Sequence, residues 1–290
     1  MRFTSIFTAL LLIAAVVRVS AQTDTTVFAY AKPLFDFDQR KPIFKLSNEQ
    51  LANKSRFLRF SALTGYREGV EPIKGYANFI AIPDAKTGTK RFCIFNVSIQ
   101  DMLSHGFYKS NRVILEVKDP SKYRYDPKYG TEQEWLRRNG YCFEYCVPAS
   151  AVNGVKTLDE ELARVFGVKF GNQKRMVDAL VLIRTSGIDK IRSKEIGEGS
   201  YDLQGNFNNK TISNNRFGDA LNLAGMPPVV DETGYTDPVD MQLDIKDWTD
   251  LQTVRKALQR YDLDLKQEKR EVEMFIITEN DWKPAVQSYK

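Results

Sequence analysis

Three cysteines and a single histidine are the residues of this 290-residue chain whose chemistry is most readily put to use. Cys142 and Cys146 form a Cys-x-x-x-Cys pair, and Cys93 stands alone. On an extended strand the pair lies about 13 Å apart on one face. A disulfide needs Cα atoms within about 7 Å, so these two are not expected to bond each other. Either one of them pairs with Cys93 or one is a reactive thiol. The plainer alternative is three ordinary small, half-buried residues. His105 with the three thiols nominally completes a zinc set, but the strand separation of Cys142 and Cys146 argues against shared ligation. A nucleophilic triad would have to use His105, and no Gly-x-Ser-x-Gly elbow accompanies it. Asp231 follows Val229-Val230 and precedes Gly234; this is turn chemistry before it is a catalytic acid. The sequence offers no phosphate loop, metal-binding motif or paired carboxylates, so no catalytic residue, cofactor or metal ligand is assigned.

A second class of candidate is a surface for a partner. Lys174-Arg175 and Lys269-Arg270 occupy equivalent places in two similar segments, residues 168–185 and 263–280. Each segment has a short alternating piece, the Lys-Arg pair and an apolar run. Each is expected to fold as a hairpin with the basic pair at its tip. Each follows an amphipathic helix with a capping signal, Thr157 to Glu160 and Thr249 to Gln252.

The elements that must hold these residues read twice in the same order. In the first half, 92–95 is a short strand. A helix capped by Ser98 places Ile99, Met102, Leu103 and Phe107 on one face. Residues 113–117 form a strand, and 119–140 a Tyr- and charge-rich excursion. Residues 141–147 alternate, with Tyr141, Phe143, Tyr145 and Val147 inward and the cysteines facing away from the core. Helix 158–166 precedes the first hairpin. In the second half Asn209 to Ile212 resembles Asn96 to Ile99, helix 214–224 ends at Gly225, and Val229-Val230 is a strand. Residues 239–245 alternate as 141–147 do, and helix 251–261 precedes the closing hairpin. Such a repeat sets the fold class. It is α+β, two tandem related βαββαββ modules with small mixed sheets. The modules span 56–186 and 209–290 with a connector at 187–208, and residues 56–90 are expected to hold loops and short strands.

The first 21 residues have the pattern of a secretory signal: Arg2, an apolar stretch over 7–17, and Val19-Ser20-Ala21 for cleavage. The apolar stretch is shorter than the about 20 residues a bilayer requires, and Arg18 interrupts it. Cleavage removes two of the charges behind the net +5 and leaves a mildly basic, well-mixed chain, unlike a nucleic-acid binder. A polar arm, 22–55, follows. No later stretch is expected to span a membrane. Three sequons, at Asn53, Asn96 and Asn209, matter only in a eukaryotic secretory pathway.

The order of elements resembles the short N-terminal domain of secretins and TonB-dependent receptors. Residues 221–280, with Pro228 to Gly234 and Arg270 to Ile277, are similar to an uncharacterised exported bacterial family. Its domain often sits behind a TlpA-like thioredoxin domain. The likeness extends from about residue 56 to 280, and Pro33 to Asp38 looks like the linker that follows such a domain. It implies an exported, periplasmic or extracytoplasmic protein. The chain has no Cys-x-x-Cys, so the thiol–disulfide role of the thioredoxin domain does not carry over. The expected function is therefore a non-catalytic interaction module for an envelope protein or peptide. The alternative is a thiol-redox accessory using Cys93, Cys142 or Cys146. A hydrolase is disfavoured by the missing nucleophile and base.

Overall fold

A computed structural model describes residues 59–70, 78–86, 88–151, 154–195, 197–212, 221, 225–281 and 283. The signal, the arm, most of helix 214–224 and the sequon at Asn53 lie outside the described residues. The protein is an α+β structure. Its first sheet is antiparallel, in the order β1 (Phe60–Gly65), β5 (Tyr141–Pro148), β3 (Thr89–Val97), β2 (Phe79–Asp84). Two helices cover one face of it, α1 (Ile99–Leu103) and α3 (Gly154–Phe166). Phe92, Ile94, Phe143, Tyr145 and Val147 point inward there and meet Met102, Leu103, Leu158 and Leu162. The period of two in β5 and the α3 spacing of Leu158 and Leu162 turn these residues to a common core. Ser98 caps α1, its Oγ accepting from the Asp101 amide at 3.0 Å. Phe107 lies beyond the end of α1 and is 81% exposed, because the chain leaves the helix after Leu103 through His105 and Gly106 at positive φ.

α3 starts earlier than the Thr157 signal; that hydroxyl donates to the Gly154 carbonyl inside the helix at 3.0 Å. The helix of the second half, α4 (Leu251–Gln259), is capped by Asp250 rather than Thr249, its carboxylate accepting from the Gln252 and Thr253 amides. Thr249 instead donates its hydroxyl to Asp247 at 2.6 Å. The excursion at 119–140 holds a helix that the charge-rich composition concealed, α2 (Glu132–Asn139), with a full capping box from Thr131 and Glu134. It buries Trp135, whose Nε1 donates to the Ser121 carbonyl at 2.9 Å. A three-stranded sheet, β10 (Val239–Met241), β8 (Phe207–Lys210), β7 (Ser200–Tyr201), belongs to the second half. The alternation at 239–245 does bury Val239, Met241, Leu243 and Ile245 together. The strand stops at Met241, where Arg260 and the Tyr261 hydroxyl bond the Gln242 backbone in place of a neighbouring strand.

The two expected hairpins are absent. Residues Val168–Arg184 are one 17-residue strand, β6, and Leu263–Glu279 another, β11. They pair antiparallel with each other along their whole length, from Leu263 opposite Arg184 to Glu279 opposite Val168. A Lys-Arg pair lacks the Gly, Asn or Asp that a tight hairpin turn requires, so nothing stops the strand there. Counted from the starts of the two similar segments, Met176 and Glu271 hold the same position, and these two face each other at the ribbon's centre. Two short parallel strands complete this third sheet. β4 (Val113–Glu116) lies against β11 with Val113 opposite Phe275, and β9 (Val229–Asp231) against β6 with Val229 opposite Leu180. Thus β4 of the first half borders the strand of the second, and β9 the reverse. One end of the ribbon puts Val168, Phe275 and Ile277 into the first core; the other puts Leu180, Leu182, Leu263 and Leu265 into the second. The opposite ribbon face carries buried Ala179, Val272, Met274 and Ile276.

Candidate functional site

The three thiols lie on the face of the first sheet turned away from the α1/α3 core, as the alternation requires, yet they are enclosed there. Cys93, Cys142 and Cys146 are free and buried. Cys93 stands opposite Glu144 in the β3–β5 register, and Arg91 opposite Cys146. Arg91 and Glu144 form a buried ion pair at 3.5 Å. Burial, with the Glu144 charge adding to it, pushes the Cys93 thiol up to about 12. Burial also pushes Cys142 up to about 11, although the Asn96 amide donating to its sulfur at 3.3 Å opposes the rise. Cys146 is raised by the same cause. A nucleophilic or redox-active thiol needs an accessible thiolate, and this environment disfavours one.

His105 joins the turn after α1 to α3, its Nε2 lying 2.8 Å from Asp159 Oδ1. Its ring packs edge-on against Phe79 at 5.5 Å. Asp231 closes a turn by accepting from the Thr233 amide and hydroxyl at 2.9 and 2.6 Å. Among the described residues no three His, Cys, Asp or Glu side chains gather as metal ligands. Asn96 and Asn209 are backbone devices: both sit at φ 49°, in the left-handed region. The Asn96 amide group exchanges hydrogen bonds with the Arg67 backbone at 2.8 and 2.6 Å. That of Asn209 donates to the Gly197 carbonyl at 2.8 Å. A glycan would have to displace these bonds.

The basic pairs separate onto opposite faces of the ribbon. Arg175 and Arg270 lie on the Ala179/Met274 face, and each holds a carboxylate from the bordering strand or just past it. Arg175 reaches Glu116 at 3.4 Å, and Arg270 reaches Glu232 at 2.6 Å. Lys174 and Lys269 lie on the other face, with Asn172, Met176, Asp178, Glu271 and Glu273. Each hairpin tip would have presented its Lys-Arg pair together; a continuous strand alternates the two. This second face is covered at both ends of the ribbon and exposed between. Met176, at its centre, is 64% exposed, and Lys174 reaches Glu271 at 3.0 Å across the strands.

At the first-half end this open strip runs into a cleft of about 500 Å³ between α3 and the start of β6. Tyr108, Phe275 and Phe170 line it in series, with ring centroids 4.8 and 5.8 Å apart. Asp159 and Glu160 of α3 stand at its rim, and Gly171, at φ 152° with open space beside it, contributes bare backbone. Nothing in the sequence flagged this cleft. Its acids sit on the outer face of α3 and its rings read as core. Another cleft, of about 470 Å³, lies beside α1 and α2. Two of its charged groups are bonded internally, Asp101 to Ser98 at 2.7 Å and Arg124 to Gln100 and, at 2.8 Å, to the Val113 carbonyl.

Comparison with protein-family models, with curated proteins and with solved structures finds no match. No helix among the described residues is long and apolar enough to cross a membrane.

Proposed function

We propose that this is an exported envelope protein that binds a protein or peptide partner along the open middle of the β6–β11 ribbon, without chemistry of its own. The observation that carries the reading is the exposed strip around Met176, which the two ends of the same sheet face flank with buried core. Its charges, Lys174, Asp178, Lys269, Glu271 and Glu273, are mixed, which suits a protein surface better than a nucleic acid. The thiol-redox alternative is disfavoured by the enclosure of all three cysteines. We also infer that the two halves are copies of one module that exchange strands across the ribbon. Three correspondences support it: the central Met176–Glu271 pair, the parallel borders β4 and β9, and the matched ion pairs of Arg175 and Arg270.

The test is capture of partners from envelope extract by the mature protein and by the double variant Lys174→Glu, Lys269→Glu. A specific partner held by the first and lost by the second is expected. Equal capture by both removes the strip from the reading. Substrate turnover by the purified protein that a single polar substitution, His105→Ala or Asp231→Ala, abolishes removes the non-catalytic reading.

A further inference from the structure

We propose that the cleft between α3 and the start of β6 receives a basic side chain, arginine for preference, from an extended segment of the partner. This inference rests on the ribbon strip being the docking surface. The floor of the cleft is a series of three rings, Tyr108, Phe275 and Phe170. Ring faces carry negative charge and attract a guanidinium or ammonium group, most strongly where water is excluded. The rim supplies the counter-charge. Glu160 is exposed and has no side-chain partner among the described residues, and Asp159 engages His105 through Oδ1 alone. Asn172, on the lining, holds Glu273 by its Nδ2 at 3.1 Å, which brings a third carboxylate to the edge. Lys169 is the single cation among the lining residues. A planar guanidinium is suited to both demands, stacking on a ring while its edge donates to carboxylates.

The other end of the ribbon isolates what makes the cleft. Counted from the starts of β6 and β11, Gly171 corresponds to Lys266 and Phe170 to Leu265. On the face that carries the cleft, a leucine stands there where the first end has a ring, whereas Gly171 and Lys266 both lie on the opposite ribbon face. The ring at this position belongs to the first end. A segment lying along the strip from Met176 toward Asn172 would deliver its side chain into it.

The probe is an acetylated, amidated pentapeptide alternating valine and arginine, titrated into the mature protein by calorimetry. Its counterpart carries citrulline, which keeps the shape of arginine and loses the charge. Saturable binding of the arginine peptide is expected, with the citrulline peptide weaker by about tenfold or more. Glu160→Lys, an exposed change, should weaken the arginine peptide by about tenfold, and Phe170→Leu should weaken it at unchanged circular dichroism. Failure of the arginine peptide to bind, equal binding of both peptides, or indifference to Glu160→Lys overturns the proposal. The two readings fail separately. If Glu160→Lys has no effect on the peptide while Lys174→Glu, Lys269→Glu still abolishes partner capture, the cleft is wrong and the strip stands. If the peptide binds as expected and the double variant captures normally, the cleft stands and the strip is wrong.

Discussion

The two ends of the β6–β11 ribbon share a strand arrangement and differ in surface. Both are antiparallel, both gain a short parallel strand on the outside, and both sit beneath a helix. At the second-half end, Leu180, Leu182, Leu263 and Leu265 close against α4, Phe207 and Trp248 in a buried core. At the first-half end, Val168, Phe170 and Phe275 leave a ring-lined cleft open beside α3. A shared frame therefore carries a buried core at one end and an open, ring-lined cleft at the other. Phe170 against Leu265 is the difference on the face that carries the cleft.

Truncating the ends should separate them most widely. Leu263→Ala, at a fully buried position in the second-half core, should cost about 3 kcal/mol of unfolding free energy in urea. Val168→Ala, its counterpart beside the cleft, should cost about 2 kcal/mol, since less apolar side chain is lost than in Leu→Ala and the neighbouring space is already open. Equal or reversed losses would mean that the cleft end is packed as tightly as the other.

The thiols occur in the first half alone, so alkaline pH should act unequally. The folded state holds Cys93 protonated up to about 12, whereas an unfolded thiol ionises near 9. A group raised in this way stabilises the fold fully below its unfolded value, and that stabilisation is lost as pH rises from about 9 toward about 12. Stability should fall across that window by up to about 1.4 kcal/mol per pH unit from this group. Cys93→Ala should flatten the fall; an unchanged slope would break the asymmetry. Tyr123 belongs to the same half and is also raised, by burial and by its bond to Glu279, so the variant rather than the bare profile is the measurement.

Gly171→Ala should cost about 1 kcal/mol, because φ 152° strains an L side chain even with open space beside it. Lys266→Gly at the other end should cost no more, by loosening the unfolded chain. A cost-free Gly171→Ala would mean that the backbone there relaxes readily. Smallest of all are the matched ion pairs on the opposite face. Glu116→Gln and Glu232→Gln should each cost about 0.5 kcal/mol, the scale of partly exposed pairs, and should cost it equally. Unequal losses would break the correspondence between the two arginines.

The elements were largely legible from local pattern. Alternation in β5 and at 239–245 marked the inward faces correctly, and Ser98 announced α1. The capping residues of α3 and α4 were misread because Thr157 and Thr249 satisfy a capping pattern locally while Gly154 and Asp250 begin the helices. The helix α2 was missed because its apolar face is essentially one buried tryptophan. Asn96 and Asn209 matched a modification motif, and their left-handed backbone gave no signal beyond residue type. The alternation puts the thiols on the correct face of β5, but a local period says which face a residue takes, not whether that face is buried.

By itself the sequence determined the α+β class, the inward faces of β5, of residues 239–245 and of α3 and α4, and the similarity of segments 168–185 and 263–280. These follow from side-chain periodicity, which is local. Only the tertiary structure decided that the two similar segments pair with each other rather than each folding back on itself. Within each segment an alternating strand satisfies either arrangement, and the choice lies with hydrogen-bond partners nearly a hundred residues away. That choice puts Lys174 and Arg175 on opposite faces, exposes Met176 at the centre, and opens the cleft beside Gly171.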